Sequence, residues 1–200
     1  MSRNTNISNR SQQEDDVLIK SFLTDNINAF DRLVIKYQNL VFNLCFRILG
    51  DYDEADDCAQ ETFIKVYKNL KKFRFQSSFT TWLYRIAVNT CRNKIASAGN
   101  RMKKKTMRID NPSEHNRESL ELHDCSFNPD DVFEKNEDSR LIHQAIESLP
   151  DHLGILVVLR DIEGKAYEDI SEITGVTLGT VKSRLARARH LLRVRLREVF

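Results

Sequence analysis

An all-α chain of two small helical domains joined by a flexible linker is what this sequence predicts, and three observations carry the expectation. Helix breakers are scarce, with six Gly and three Pro in 200 residues. Apolar residues recur at helical spacing over long stretches, and no alternating strand pattern of useful length appears. Charge falls into two acidic-then-basic blocks. Asp51 to Glu61 holds six acids and no base, and Thr62 to Lys105 twelve Lys or Arg and no acid. Leu141 to Gly175 then carries seven acids against two bases, and Val176 to Phe200 seven bases against one acid. The formal net charge of +2 hides this segregation. A surface with 44 successive residues free of acids suits a polyanion, and nucleic acid is the first class to consider.

Residues 1–13, rich in Ser, Asn and Gln, read as a disordered tail. The first domain occupies residues 14–97. Within it, Phe30, Leu33, Val34, Tyr37, Val41, Leu44, Cys45 and Ile48 form a helical stripe over Ile27 to Leu49. Gly50 ends that helix. Asp53 to Leu70 reads as the next helix, acidic where its dipole favours acids and lysine-bearing at the other end. Phe73 to Ser78 reads as a loop, and Phe79 to Ser97 as a further helix. Gly99, Pro112 and Pro129 interrupt residues 98–135, which read as a linker. The second domain, residues 136–200, opens with a helix over Ser139 to Ser148. Pro150 starts another, which Gly164 ends. Ala166 to Thr174 and Thr177 to about Arg197 close the chain.

Composition excludes several classes. With 40% hydrophobic and 30% charged residues, the chain is neither collagen-like nor wholly disordered. No apolar run approaches the roughly 18 residues of a membrane span, and the polar first residues are no signal peptide. Four cysteines without CxxC spacing fit a reduced, cytoplasmic setting. His115, His123 and Cys125 lie near one another but lack a second ligand pair, so no zinc site is expected.

Residues 166–188 have the layout of a helix-turn-helix. Ala166, Ile170 and Ile173 point inward from a short helix, Gly175 supplies a left-handed turn, and Thr177 caps the second helix. Leu178, Val181, Leu185, Ala188 and Leu192 make its buried stripe. Thr180, Ser183, Arg184 and Arg187 project from the opposite side, where hydroxyls and forked guanidinium groups can read base edges. Lys182 and Arg189 flank that face as phosphate contacts. The plain alternative is an αα-hairpin with a basic exposed face.

The earlier basic segment adds seven aromatics: Phe63, Tyr67, Phe73, Phe75, Phe79, Trp82 and Tyr84. Phe63, Tyr67 and Tyr84 read as core. Trp82, Arg85, Asn89 and Arg92 share one helical stripe, and such a stripe suits unpaired bases, which stack on aromatic rings. Phe75, Ser78 and Phe79 complete the single-strand contact set, with Lys94 and Arg101 to Lys105 adding attraction to the sugar-phosphate backbone. On the preceding helix, Asp53, Asp57, Gln60, Glu61, Ile64 and Lys68 line one face, opposite Ala55, Ala59, Phe63, Val66 and Leu70. The acidic face repels DNA, so a protein partner is the favoured reading. A Mg²⁺-dependent nuclease built on Asp53, Asp57 and Glu61 is the catalytic alternative, but no Lys or His stands by for chemistry. A free-standing helix-turn-helix regulator is the other rival. No catalytic residue, metal, cofactor or small-molecule substrate is expected.

Three motifs together resemble the extracytoplasmic-function (ECF) branch of the bacterial sigma-70 family of RNA polymerase sigma factors. Asp57-Cys58-Ala59-Gln60-Glu61-Thr62-Phe63-Ile64-Lys65-Val66-Tyr67 is similar to the family's polymerase-binding helix. Phe79-Thr80-Thr81-Trp82-Leu83-Tyr84-Arg85-Ile86-Ala87-Val88-Asn89-Thr90 resembles its promoter-melting segment. Leu149-Pro150-Asp151, Leu159-Arg160-Asp161 and Gly179-Thr180-Val181-Lys182-Ser183-Arg184-Leu185 match its region 4. Cys58 and Ala59 stand where larger aliphatic residues are usual, and Gly154 where a polar one is. The resemblance implies that the first domain is region 2, which docks on the β′ clamp helices of core RNA polymerase and captures the non-template strand of the −10 element. It implies that the second is region 4, which binds the −35 element and the β flap. It further implies control by an anti-sigma factor in a stress or envelope response, and a cytoplasmic location, at the inner membrane face when such a factor holds it. Relaxed, the 38-residue linker spans roughly 35 Å. Two duplex elements two turns apart are separated by about 70 Å, so both domains reach one promoter only if the linker is held stretched.

Overall fold

The structure, a computed structural model, describes residues 3–106 and 137–197, and every regular element among them is helical. The first domain comprises α1 (Arg3–Leu23), α2 (Ile27–Leu49), α3 (Tyr52–Asn69) with a 3₁₀ turn at Leu70–Lys72, and α4 (Phe79–Thr106). The second comprises α5 (Glu137–Glu147), α6 (Asp151–Val157) running into a π turn at Val158–Ile162, α7 (Tyr167–Thr174) and α8 (Leu178–Arg197).

The helix ends follow local chemistry. Gly50 takes the left-handed conformation (φ 73°) and returns its N–H to Phe46 O, closing α2. The Asp51 carboxylate caps α3 by accepting from the Glu54 N–H at 2.8 Å. Ser78 caps α4 through the Thr81 N–H at 3.0 Å. In the second domain Gly175 (φ 71°) makes the turn, and Thr177 accepts from the Thr180 N–H at 3.4 Å to cap α8.

Three expectations need correction. Where a disordered tail was expected, α1 begins at Arg3. Its anchor is the buried Asp15, which accepts from Lys36 at 2.6 Å and from the Tyr37 hydroxyl at 2.5 Å, joining α1 to α2. Helix α4 runs on to Thr106, so the first nine residues of the expected linker are helical. Gly99 does not stop it, because one interior glycine costs only about 1 kcal/mol. Ala166, expected to face inward, is exposed, and Tyr167 packs against the core in its place. Residues 107–136, with His115, His123 and Cys125, lie outside the described residues.

The two domains share one continuous core. Leu33, Val41 and Leu44 on α2 meet Ala55 and Val66 on α3 and Leu83 and Val88 on α4. Leu153, Leu156, Leu159, Ile170, Ile173, Val181 and Leu185 extend the same cluster through the second domain. At the junction Glu163 accepts from the Arg47 guanidinium and, at 2.6 Å, from the Tyr84 hydroxyl. The Lys165 ammonium lies 3.9 Å from the centroid of the Tyr84 ring.

Tyr37 and Tyr84 make the fold sensitive to alkali. Burial, then donation to Asp15 and Glu163 respectively, holds each phenol above the usual tyrosine range. Unfolded phenols ionise near pH 10, so stability is intact below that pH and falls above it by about 1.4 kcal/mol per phenol per pH unit. Thermal unfolding between pH 9 and 11.5 should show this limb, and a Tyr37→Phe, Tyr84→Phe double variant should flatten it. An equally steep limb in that variant would place its origin elsewhere.

Candidate nucleic-acid interface

The face expected to read the upstream element stands on α8. Val181, Leu185 and Ala188 are buried against α6 and α7, so Lys182, Ser183 and Arg187 are exposed, with Thr180 and Arg184 half-buried beside them. Ser171 donates to Val176 O at 2.6 Å, which fixes the turn between the two helices. The Thr177 and Thr180 hydroxyls pair at 2.8 Å, and Ser183 donates back to Thr180 O. On the N-terminal half of α8, Arg184 and Arg187 carry guanidinium groups not engaged by a described acceptor. Arg189, expected at phosphate, makes a two-point ion pair with Asp161 at 2.5 and 3.2 Å. That carboxylate raises its pKa.

The single-strand set splits. Arg85 and Asn89 are exposed on α4, and Trp82 is half-buried, with Phe73 at 5.3 Å and Phe79 at 5.9 Å between ring centroids. Phe79, expected at DNA, is only 1% exposed, so it packs the core and supports the Trp82 ring. Ser78 spends its hydroxyl on the α4 cap. Phe75 is 39% exposed and adopts φ 56°, a conformation costly for a bulky residue. Its ring sits 4.9 Å from that of Phe73, with Lys20 at 5.8 Å. A hollow of about 170 Å³ opens among Lys72, Arg74, Trp82, Arg85 and Glu172. Glu172, from α7 of the other domain, brings an acid to the rim of a basic hollow. Arg92 donates to Thr174 O at 3.2 Å. Burial, and then the like charge of Arg184, lowers its pKa. Sequence periodicity found the Trp82 stripe but had no signal for Glu163, Lys165 or Glu172, which act across the domain junction.

The acidic strip on α3 is exposed throughout. Asp53, Asp57, Gln60 and Glu61 face solvent, and Ile64 is 53% exposed among them. Asp57 is paired with Lys94 at 2.9 Å and Glu61 with Lys65 at 2.9 Å. Lys94, expected near nucleic-acid phosphate, is thus held by the strip. Among the described residues, these carboxylates form no cluster able to hold a metal ion.

Comparison with known proteins accords with both halves. Residues 33–101 match the family described as Sigma-70 region 2, and residues 139–192 match Sigma-70, region 4. The chain is 36% identical over 186 residues to the RNA polymerase sigma-H factor of Pseudomonas aeruginosa, covering 91% of this chain and 93% of that protein. It is 37% identical over 181 residues to the ECF RNA polymerase sigma-E factor of Escherichia coli, covering 90% and 93%. Among solved structures, the sigma factor RpoE of Bartonella quintana, in complex with the anti-sigma factor NepR, shares its fold. That match has a TM-score of 0.65 over 86% of this chain and 98% of the other, at 22% identity. With both regions matched in order and relatives aligned over nine-tenths of its length, the chain belongs to the sigma-70 family of RNA polymerase sigma factors, in its extracytoplasmic-function branch.

Proposed function

We propose that α3 docks on core RNA polymerase, that α8 reads a duplex −35 element, and that the Trp82 face of α4 captures the non-template strand of the −10 element. The observation that carries this reading is the separation of surfaces on one helical frame. An exposed acidic strip lies on α3, while cations and an aromatic cluster lie on α4 and free guanidinium groups on α8. Like charge keeps the first from DNA and opposite charge draws the other two to it. The partners are the β′ clamp helices for the strip and the β flap for the second domain. The chain works as a non-enzymatic factor in the cytoplasm. No described helix is long and apolar enough to cross a membrane. An anti-sigma factor is the natural regulator, since the sigma factor RpoE of Bartonella quintana, which shares this fold, is bound by the anti-sigma factor NepR.

The two domains are packed together in a closed arrangement. Arg92 is spent on Thr174 O and Glu172 borders the Trp82 hollow, so the second domain covers part of the surface assigned to the −10 element. Elements two turns apart on DNA lie about 70 Å from each other. Promoter binding therefore requires the domains to part, with polymerase holding them separated.

Co-purification with core polymerase followed by run-off transcription tests the reading. Asp57→Lys, Glu61→Lys should weaken core association about tenfold or more while circular dichroism stays helical. Unchanged affinity for core enzyme would remove the strip from the docking surface. Specific DNA binding without any polymerase dependence would favour a free-standing regulator instead.

A further inference from the structure

Three of the four cysteines meet at one point inside the first domain. Cys45 comes from α2, Cys58 from α3 and Cys91 from α4, each fully buried, and their sulfurs lie within 4.8 Å of one another. Packing alone asks only for small apolar side chains there, and it does not require three sulfurs from three helices to converge. A metal–thiolate bond of about 2.3 Å sets the sulfurs of one shared ion just under about 4 Å apart, inside the observed bound.

Lys65 and Lys94 both bring positive charge to Cys58. Cys45 and then Cys91 favour the thiolate form at Cys58 against its burial, and the same contacts among the three sulfurs hold Cys45 and Cys91 towards the protonated form, so an incoming ion must displace their protons. Among the described residues, no imidazole or carboxylate joins the group. The neighbouring hydroxyls are committed, Thr62 to Cys58 O at 2.7 Å and Thr90 to Ile86 O at 2.9 Å. The site thus offers three soft donors and no fourth. Structural zinc takes four ligands, whereas thiolates also select copper(I), for which three suffice.

We propose that Cys45, Cys58 and Cys91 form a three-thiolate site for one soft, thiophilic metal ion of the copper(I) class. Binding displaces the protons that the thiols still hold and transfers no electron, so the ion keeps its oxidation state. Because the sulfurs are sealed in the core, the ion enters as the domain folds or during a local opening. Once in place it ties α2, α3 and α4 together, next to Asp57 on α3 and two residues from Asn89 on α4. Occupancy would then stiffen the frame that carries both the docking strip and the −10 face.

The full chain, reduced and refolded without oxygen, is titrated with copper(I) while near-ultraviolet thiolate-to-copper absorption is followed. Saturation at one ion per chain is expected, with the melting temperature raised by about 5–10 °C at a hundredfold excess over Kd. Cys125→Ser should leave the titration unchanged, and Cys58→Ala should abolish it. Because Cys58→Ala touches the core, its helicity is checked by circular dichroism, and the wild-type titration stands as an independent measure. No saturable absorption in the folded wild-type chain would overturn the proposal, as would full retention in Cys58→Ala or loss in Cys125→Ser. Displacement of copper(I) by equimolar zinc(II) would overturn the assignment to a three-coordinate ion.

Discussion

Replacing Arg184 by alanine should reduce discrimination between a −35 element and a scrambled element by about 5- to 150-fold, the loss of one two-point base contact. The expectation rests on what α8 leaves available. Thr177, Thr180 and Ser183 hydroxyls bond within the helix start, and Arg189 is paired with Asp161. Arg184 stands half-buried on the N-terminal half of the helix, where a groove-reading side chain must sit, with no described acceptor of its own. Lys182→Ala should differ in kind. Its ammonium is exposed and unforked, so its loss should weaken binding to all sequences alike and lower the salt slope by about one. Arg189→Ala should act on neither quantity directly and instead destabilise the second domain by breaking the Asp161 pair. Binding curves on matched and scrambled duplexes at several salt concentrations separate the three outcomes. If Arg184→Ala leaves discrimination untouched, the helix enters the groove on another face.

The helices and the exposed stripes on α4 and α8 were legible because they rest on local rules. Ile27 to Leu49 has the same limits by periodicity as in the structure, since the apolar stripe and Gly50 both act over one or two turns. The turn at Gly175 and the cap at Thr177 follow for the same reason. What escaped the sequence depends on partners far along the chain. The residues before Glu14 look like a solvated tail until Lys36, twenty-five residues beyond Ser11, donates to the Ser11 carbonyl at 3.3 Å and joins Tyr37 at the buried Asp15 one turn on. Phe79 and Trp82 are equally aromatic in sequence, and only packing decides that the first fills the core while the second keeps an open edge. Ser78 looked like a nucleic-acid contact and is a helix cap. Glu163 carried no local signal at all, yet it joins Arg47 to Tyr84 across the two domains. Reading charge by blocks found the surfaces and missed the pairs, Asp57 with Lys94 and Asp161 with Arg189, that hold some of those charges in place.

Trp82→Ala should leave core binding and closed-complex formation largely intact and sharply reduce strand opening. A chain without a nucleotide-hydrolysis loop must draw melting energy from capturing unpaired bases. Opening one base step costs about 1.4 kcal/mol, and one aromatic stack returns roughly 1–3 kcal/mol, so removing a single stack can reverse the local balance. Phe73 and Phe79 brace the Trp82 ring from within the core, which fixes its orientation before DNA arrives. Arg85 and Arg74 border the adjoining hollow and can hold the displaced strand by its phosphates. Because the ring is half-buried, truncation also removes packing, and Trp82→Phe serves as the control that keeps most of it. Permanganate-reactive thymines near the start site should fall about 5- to 150-fold in Trp82→Ala and less in Trp82→Phe. A premelted bubble template removes the cost of opening and should rescue Trp82→Ala well beyond any rescue of Arg184→Ala, whose defect lies in duplex recognition. Equal rescue of the two, or loss of helicity in Trp82→Ala with normal opening in Trp82→Phe, would return Trp82 to the core alongside Phe79.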